Sequence, residues 1–561
     1  MVLIGHMLNF LKINRIAFFF IVLLACIISM NHACVSASDK SSNKSVFRLN
    51  ESNGISSLDP AFAKDLSNLN VCNQLYNGLV QLDSAMQIQP AIAKAWEISA
   101  DGKIYTFHLR NDVFFHDNKA FADGKGRKVC ASDFIYSFQR ILNPQVLSPG
   151  AWVFNSVKKE EQGYAFSAPN DTTLIIELEH AYTPFLSILS MQYCNVLPFE
   201  AVQYYGEEFR KNPVGTGPFY LKYWEEDVKL VLLKNPNYFE KSKEQSLPYL
   251  DAINYSFIVD KQAEFLEFIQ GNLDYMSGIE PAFKDEILDQ TGQVSAKYKQ
   301  EIRLQKNPYL NTEYIGILYD TSANGVDQSP LKYLKFRQAL NYAIDKKKML
   351  RYLRNSIGIP GERGFLPVAY SFNNIGYGYA YDKVKAHALI DELKQELHVS
   401  ELPSITLVAT SKSIDIAKFV QHQLAQIDVQ MEVELMQWAA MKEVVANSKA
   451  QFFRGSWIAD YPDAENYLSL FYTANFSPKG PNYTHFSNPY YDSLYLRSVT
   501  ITDLDVKQKL YRAMDSLIME NAVIIPLYYD EVMRFTHKDM ENLPKSPMNI
   551  LDLKWVKKRE K

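Results

Sequence analysis

The chain has 561 residues, with 59 basic and 63 acidic side chains and a formal net charge of −4. That length exceeds a single core and calls for two or three domains, while the acidic balance excludes an electrostatic nucleic-acid binder, which carries a basic surplus. Hydrophobic content of 47% is that of a globular protein, and the 35 Tyr and 33 Phe supply both a large core and amphipathic surface suited to a ligand site.

The N-terminus reads as a targeting segment. Lys12 and Arg15 flank an apolar run, Ile16 to Met30, shorter than the roughly 20 residues that span a bilayer. Val35-Ser36-Ala37 offers small residues for cleavage, so 1–37 is expected to be a signal peptide. An alternative is Leu23-Leu24-Ala25-Cys26, a lipoprotein-like box that would leave a lipidated Cys26; retention as an anchor is a third. In each case the body of the chain is exported. Residues 38–45 form a Ser/Lys-rich leader expected to be disordered. Cys72, Cys130 and Cys194 remain; in an oxidising compartment two of them can pair, and spacing does not choose which. No Cys-x-x-Cys or His-x-x-x-His spacing calls for a metal, and no cofactor is expected.

Val46 to Leu49 reads as a first strand, and Leu69 to Leu82 as a helix with Gly78 near its end. Tyr105 to Leu109 alternates as a strand after the Asp101-Gly102 turn. Ser132 is expected to cap a helix carrying Phe134, Ile135, Phe138 and Ile141, which Asn143-Pro144 ends. Strands follow at Thr173–Leu178 and Val228–Leu233. Gly215-x-Gly217 is followed by Pro218 and a strand, which excludes a dinucleotide fold and leaves tight backbone geometry as the reason for the glycines. Asp320-Thr321-Ser322 has one half of an aspartic-protease look and no second half.

The second half is α/β. Phe336 to Leu350 reads as a helix. Ile405–Thr410, the stripe Ile416, Val420, Leu424 and Ile427, and the alternating Val429–Leu435 form a strand–helix–strand unit with parallel strands, and Trp438 follows. Arg454-Gly455-Ser456-Trp457 opens as a strand that breaks at Tyr461-Pro462, so Asp460 stands just before a forced corner. Asp463 is placed to cap the helical stretch through Tyr467, Leu468 and Phe471, and Asp463 and Glu465 read as capping or solvated carboxylates. A carboxylate, a guanidinium and an indole at one strand end suit a ligand with a positive end, a negative end and a body that tolerates stacking, as a peptide has. Ile524 to Tyr529 reads as a late strand.

Eight motifs, in order, carry a resemblance: Leu58-Asp59-Pro60; Leu75 to Leu79; Tyr105 to Asp117; Ala131 to Arg140; Asn212 to Phe219; Gly271 to Asp274; Arg337 to Asp345; and Arg454 to Leu470. From about Ser57 onward the chain resembles the family-5 solute-binding proteins of ABC importers, of the oligopeptide- and dipeptide-binding type. The resemblance implies an α/β, two-lobed periplasmic binding protein-like fold (class II, large cluster C type) with an extra inserted domain and a ligand cleft between lobes that close by hinge motion. It implies lobe I from 46–85, 211–310 and 528–561, an inserted domain at 86–210 and lobe II at 311–527. The expected role is capture of short peptides and delivery to a membrane-embedded ABC importer permease, as a periplasmic monomer and not as an enzyme. Asp460 is expected to accept the peptide amine and Arg454 its carboxylate, with Trp438, Trp457 and Tyr136 lining the cleft and Gly455 and Ser456 beside them. Two departures bear on peptide length: Gly54 stands where oligopeptide members carry Glu, and no His counterpart appears near Ser411–Asp415. The alternatives are a same-fold binder of a nickel chelate, haem or oligosaccharide, or an exported hydrolase, for which no Gly-x-Ser-x-Gly or Cys/His signature appears.

Overall fold

The long strands set the architecture. In this computed structural model, which describes residues 44–559 except 162, 244, 281–282, 321, 323–324, 371 and 373–376, eleven strands join into one sheet. The expected signal segment with Cys26, the leader up to residue 43, and Thr321 lie outside the described residues. In chain order the strands are β1 Val46–Asn50, β2 Phe219–Glu225, β3 Lys229–Lys234, β4 Ala252–Ser256, β5 Tyr275–Ser277, β6 Ile302–Ile317, β7 Ile359–Pro360, β8 Ile405–Ala409, β9 Met431–Leu435, β10 Phe452–Ile458 and β11 Ile524–His537. Their order is β2-β3-β4-β1-β5-β11-β6-β10-β8-β9, with β7 on β11.

β6 and β11 are antiparallel and are the two longest strands of the sheet, 16 and 14 residues. Their first register joins Ile302 with His537 and ends at Pro308 with Glu531; pairing resumes at Thr312 with Tyr529. Residues 309–311 of β6 therefore face Asp530 alone, a bulge that bends the ladder and increases its twist. A separate sheet of Ala93–Ile98, Ile104–Leu109, Thr173–Glu177 and Phe166–Asn170 lies in the stretch before β2. Phe47, Phe107, Phe138 and Tyr255 share one buried core. Tyr314, Tyr467 and Met514 share a second, and Phe336, Val420 and Phe452 a third. Burying these apolar faces is the main favourable term in folding.

The strand–helix–strand unit forms as the periodicity requires: β8 and β9 are parallel, joined by the helix Ile414–Ala425. Other expectations are corrected. The first helix spans Leu66–Leu75, not Leu69–Leu82, and Val80–Leu82 is a strand. Its end is set by the two glycines: Gly217 N–H donates to Leu75 O at 2.9 Å, and a Cβ at Gly215 would meet that oxygen at 2.1 Å. The close backbone approach read from Gly215-x-Gly217 is thus real, and it stops a helix. The helix Ala131–Leu142 is capped by Cys130 and Asp133 rather than by Ser132: the Asp133 carboxylate accepts from Cys130 N–H at 2.9 Å. Phe336–Leu350 is two helices, Leu334–Ala343 and Lys346–Arg354, because Asp345 caps the second by accepting from Lys348 N–H at 2.9 Å. The late strand runs to His537. Cys72, Cys130 and Cys194 are free thiols, the first and last buried, so no two of them pair. Asp320 accepts from both N–H and Oγ of Ser322, at 2.8 and 2.6 Å, which makes that motif a local turn. Among the described residues no helix is long and apolar enough to cross a membrane.

Candidate ligand site on strand β10

β10 pairs with β6 along its whole length, from Phe452 with Ile317 to Ile458 with Asn311. On its other edge β8 pairs only with Phe452 and Phe453. Beyond Phe453 no strand of the described residues covers the outer edge of 454–458. The row from Arg454 to Ile458 is therefore held on one side and open to a partner on the other.

At the start of this row Arg454, Gly455 and Ser456 line a cavity of about 270 Å³ with Glu313, Lys412 and Trp438. The Arg454 side chain is only 9% exposed. One of its terminal nitrogens pairs with Glu313, and the other donates to Tyr314 O at 2.8 Å and to Gly455 O. Ser456 Oγ donates to the other Glu313 oxygen at 2.6 Å. Burial works to raise the Glu313 carboxyl, but the charge of Arg454 and the Ser456 hydrogen bond outweigh it and hold the group below the usual carboxylate range. Arg454 Nε is buried without a partner. Lys412 is exposed and pairs with no acid of the described residues; Arg354, which also lines the cavity, is paired with Asp530 at 2.6 Å. Gly455 is needed for packing, since a Cβ there would meet the Tyr314 ring at 2.5 Å. Trp438 begins the helix Trp438–Ala446 and is 63% exposed, an uncommon state for so large an apolar group.

At the far end, Asp460 and Trp457 are joined through Asn466. Asp460 is reached by solvent, yet protein crowds its carboxylate, and this desolvation raises its pKa while the Asn466 hydrogen bond works against the rise. Tyr193 lies beside Asp460: burial pushes that hydroxyl up to about 12, with the charge of Asp460 adding to the effect. Trp152 approaches Tyr461, next in chain, with ring centroids 6.1 Å apart.

Tyr136 is not gathered with these residues. It sits half-buried on the helix Ala131–Leu142, edge-on to Phe199 with centroids 6.2 Å apart, and lines neither cavity described here. The larger cavity, about 600 Å³, lies between residues 73–91, Gln192, Asn195 and 542–555, and none of the expected site residues reaches it. Asp463 and Glu465 are not solvated. Asp463 accepts from Glu465 N–H at 3.0 Å, as a capping group does, but it also pairs with Lys507 at 2.7 Å. Glu465 is buried and accepts from the hydroxyls of Tyr182, Tyr461 and Tyr495. Glu313 depends on a cross-strand register, and Lys507, Tyr182 and Tyr495 come from far along the chain, so spacing does not encode them; Asn466 is close in sequence, but its hydrogen bonds back across the Pro462 corner have no periodicity to mark them.

Residues 87–478 match the family described as bacterial extracellular solute-binding proteins, family 5. The dipeptide-binding protein DppE of Bacillus subtilis is 26% identical over 546 residues, covering 92% of this chain and 93% of that one. Heme-binding protein A of Haemophilus influenzae is 26% identical over 525 residues, covering 90% and 91%. Among solved structures, the periplasmic binding protein DppA from Helicobacter pylori in complex with the peptide STSA superposes with a TM-score of 0.71 at 24% identity, covering 93% of this chain and all of that one. The architecture is accordingly the two-lobed periplasmic-binding-protein fold, and the chain belongs to family 5 of the bacterial extracellular solute-binding proteins, a family of binders rather than enzymes.

Proposed function

We propose that this chain captures short peptides outside the cytoplasm, in the periplasm, and hands them to a membrane-embedded ABC importer. The observation that carries the reading is the open edge of β10 between two charged ends. An extended peptide can add to that edge through its backbone, which binds without regard to sequence, while side chains meet roomier surroundings. Its ammonium would sit at Asp460 and its carboxylate near Arg454 and Lys412. Strand residues advance about 3.3 Å each, so the two ends lie at most ~20 Å apart, and the inward reach of both side chains shortens the span to that of roughly three to five extended residues. The relatives named for dipeptide binding support the peptide class. On this reading 46–85, 211–310 and 528–561 form one lobe, 311–527 the other, and 86–210 the inserted domain. The paired strands β6 and β11 are the hinge, and the protein acts as a monomer.

Titration of the purified protein with di- to hexapeptides, followed by tryptophan emission, tests the reading; saturable binding that peaks at three to five residues is expected. Haem provides the contrast, since a relative is named for it. A tight haem complex with no response to any peptide overturns the proposal.

A further inference from the structure

Asn466 is buried, 5% exposed, in the helix Glu465–Leu468 beyond the Pro462 corner. Its Oδ1 accepts from the Trp457 indole Nε1–H at 2.9 Å and from the Asp460 backbone N–H at 3.2 Å. Its Nδ2 donates to Asp460 Oδ2 at 3.2 Å. The orientation of the amide is forced. Turned over, it would set its NH₂ against two N–H donors and its oxygen against a carboxylate. Asp460 Oδ1, by contrast, accepts no hydrogen bond from the described residues, and Asp460 is an exposed residue.

We propose that Asn466 is the positioning residue of the site: one amide aims the Asp460 carboxylate and the Trp457 ring together, and leaves a single carboxylate oxygen free for the ligand's ammonium. The inference rests on the reading of Asp460 as the amine acceptor. A carboxylate held by one fixed donor loses little rotamer freedom when a ligand arrives, which lowers the cost of binding. The amide also spends its hydrogen bond on Oδ2, so an incoming ammonium meets Oδ1. Coupling to Trp457 means that the stacking surface and the charge move as one piece.

Two variants separate positioning from general support. In Asn466→Ser the side chain is too short to hold both partners. Free-amine tripeptides should bind about tenfold more weakly, N-acetylated ones should be unchanged, and Trp457 emission should shift to the red. Asn466→Asp keeps an acceptor for the indole but sets a second carboxylate beside Asp460. Like charges disfavour joint ionisation, so the pH at which free-amine binding is half lost should move up by at least one unit, with Trp457 emission unaltered. A merely structural role would weaken both peptide kinds alike and leave the pH midpoint in place, and that result overturns the inference. If Asp460→Asn abolishes the preference for free amines while both Asn466 variants keep it and the parent pH midpoint, only the role of Asn466 fails. If the parent itself shows no such preference, the reading of Asp460 fails, and the role of Asn466 with it.

Discussion

Glu313 and Arg454 are paired across the ladder of β6 and β10, and Ser456, directly opposite Glu313, donates to the same carboxylate at 2.6 Å. The guanidinium expected to receive a peptide's carboxylate is thus already neutralised. A ligand carboxylate arriving there competes with Glu313, or settles on Lys412. Glu313→Gln removes the competitor's charge. Peptides with a free C-terminus should bind roughly tenfold tighter, about 1.4 kcal/mol, and C-amidated ones should not change. The empty protein should lose ~3 kcal/mol of stability, because a largely buried guanidinium is left without its counter-charge. Calorimetric titration and thermal melting read the two effects separately. Equal tightening of both peptide kinds would rule Arg454 out as a carboxylate receptor.

Two buried groups that bind no ligand contribute to the pH dependence of stability. Asp515 accepts from Phe365 N–H at 2.8 Å and Leu366 N–H at 3.3 Å, and burial pushes its carboxyl up to about 7. Lys346 donates to Tyr379 O at 3.0 Å, and burial pulls its amine down to about 7. An acid raised on folding costs stability once it ionises, so its penalty grows as pH rises from the ordinary carboxylate range through 7. A base lowered on folding costs stability once it is protonated, so its penalty grows as pH falls from the ordinary lysine range to 7. Asp515→Asn, whose oxygen can still accept both N–H groups, should raise the melting temperature at pH 8 and not at pH 4. Lys346→Met should raise it at pH 6 and not at pH 11. Parallel shifts at all pH values would mean that neither group titrates between the folded and unfolded states.

The βαβ unit was readable because Val429, Met431, Val433 and Leu435 alternate with polar residues while Ile416, Val420 and Leu424 recur at helical spacing. Those periods are local. The long strands β6 and β11 are less legible: in β6 the alternation of Ile302–Gln305 breaks at Lys306-Asn307-Pro308, and β11 is buried on both faces over most of its length, so no polar face marks its extent. The corner at Pro462 and the strand end at Asp460 were readable from one proline. What holds Asp460 was not, since Asn466 reaches back across the corner through three hydrogen bonds that share no sequence signature. Glu465 looked like a surface carboxylate because its partners come from Tyr182 and Tyr495, far away in the chain.

Tyr182 is also a point where the segment before β2 touches the segment after β6. Its hydroxyl donates to Glu465 at 3.1 Å, and next to it Thr183 N–H donates to Val499 O at 2.7 Å. Such contacts favour a closed arrangement if the lobes hinge at the bulge of β6 and β11. Tyr182→Phe removes one of them and leaves Glu465 with two hydroxyls. In small-angle scattering the ligand-free variant should show a larger radius of gyration than the parent, and saturating peptide should bring both to the same value. Affinity should fall a fewfold, since closure then draws on binding energy. An identical radius for parent and variant, with and without peptide, would exclude this contact as a latch.

Asp460 carries the peptide reading, and its own titration provides the test. Desolvation raises its carboxyl, so the charge needed to hold an ammonium disappears at a higher pH than for an exposed aspartate. Free-amine peptides should lose affinity on acidification earlier than an ordinary carboxylate would dictate. Asp460→Asn keeps the shape and removes the charge: free tri- and tetrapeptides should bind more than tenfold more weakly and lose their pH dependence in this range. N-acetylated peptides have no ammonium to pair. They should bind the parent poorly and change little on mutation, so the double comparison separates the charge pair from general damage. The sign for stability is opposite to that for binding. A raised folded-state pKa means that the ionised group is a cost to the empty protein above the unfolded pKa, so Asp460→Asn should leave the ligand-free melting temperature at neutral pH unchanged or higher, and the difference should vanish in acid. Equal binding of acetylated and free peptides by the parent would remove Asp460 as the amine anchor, and with it the reason to prefer peptides over any other solute of this family.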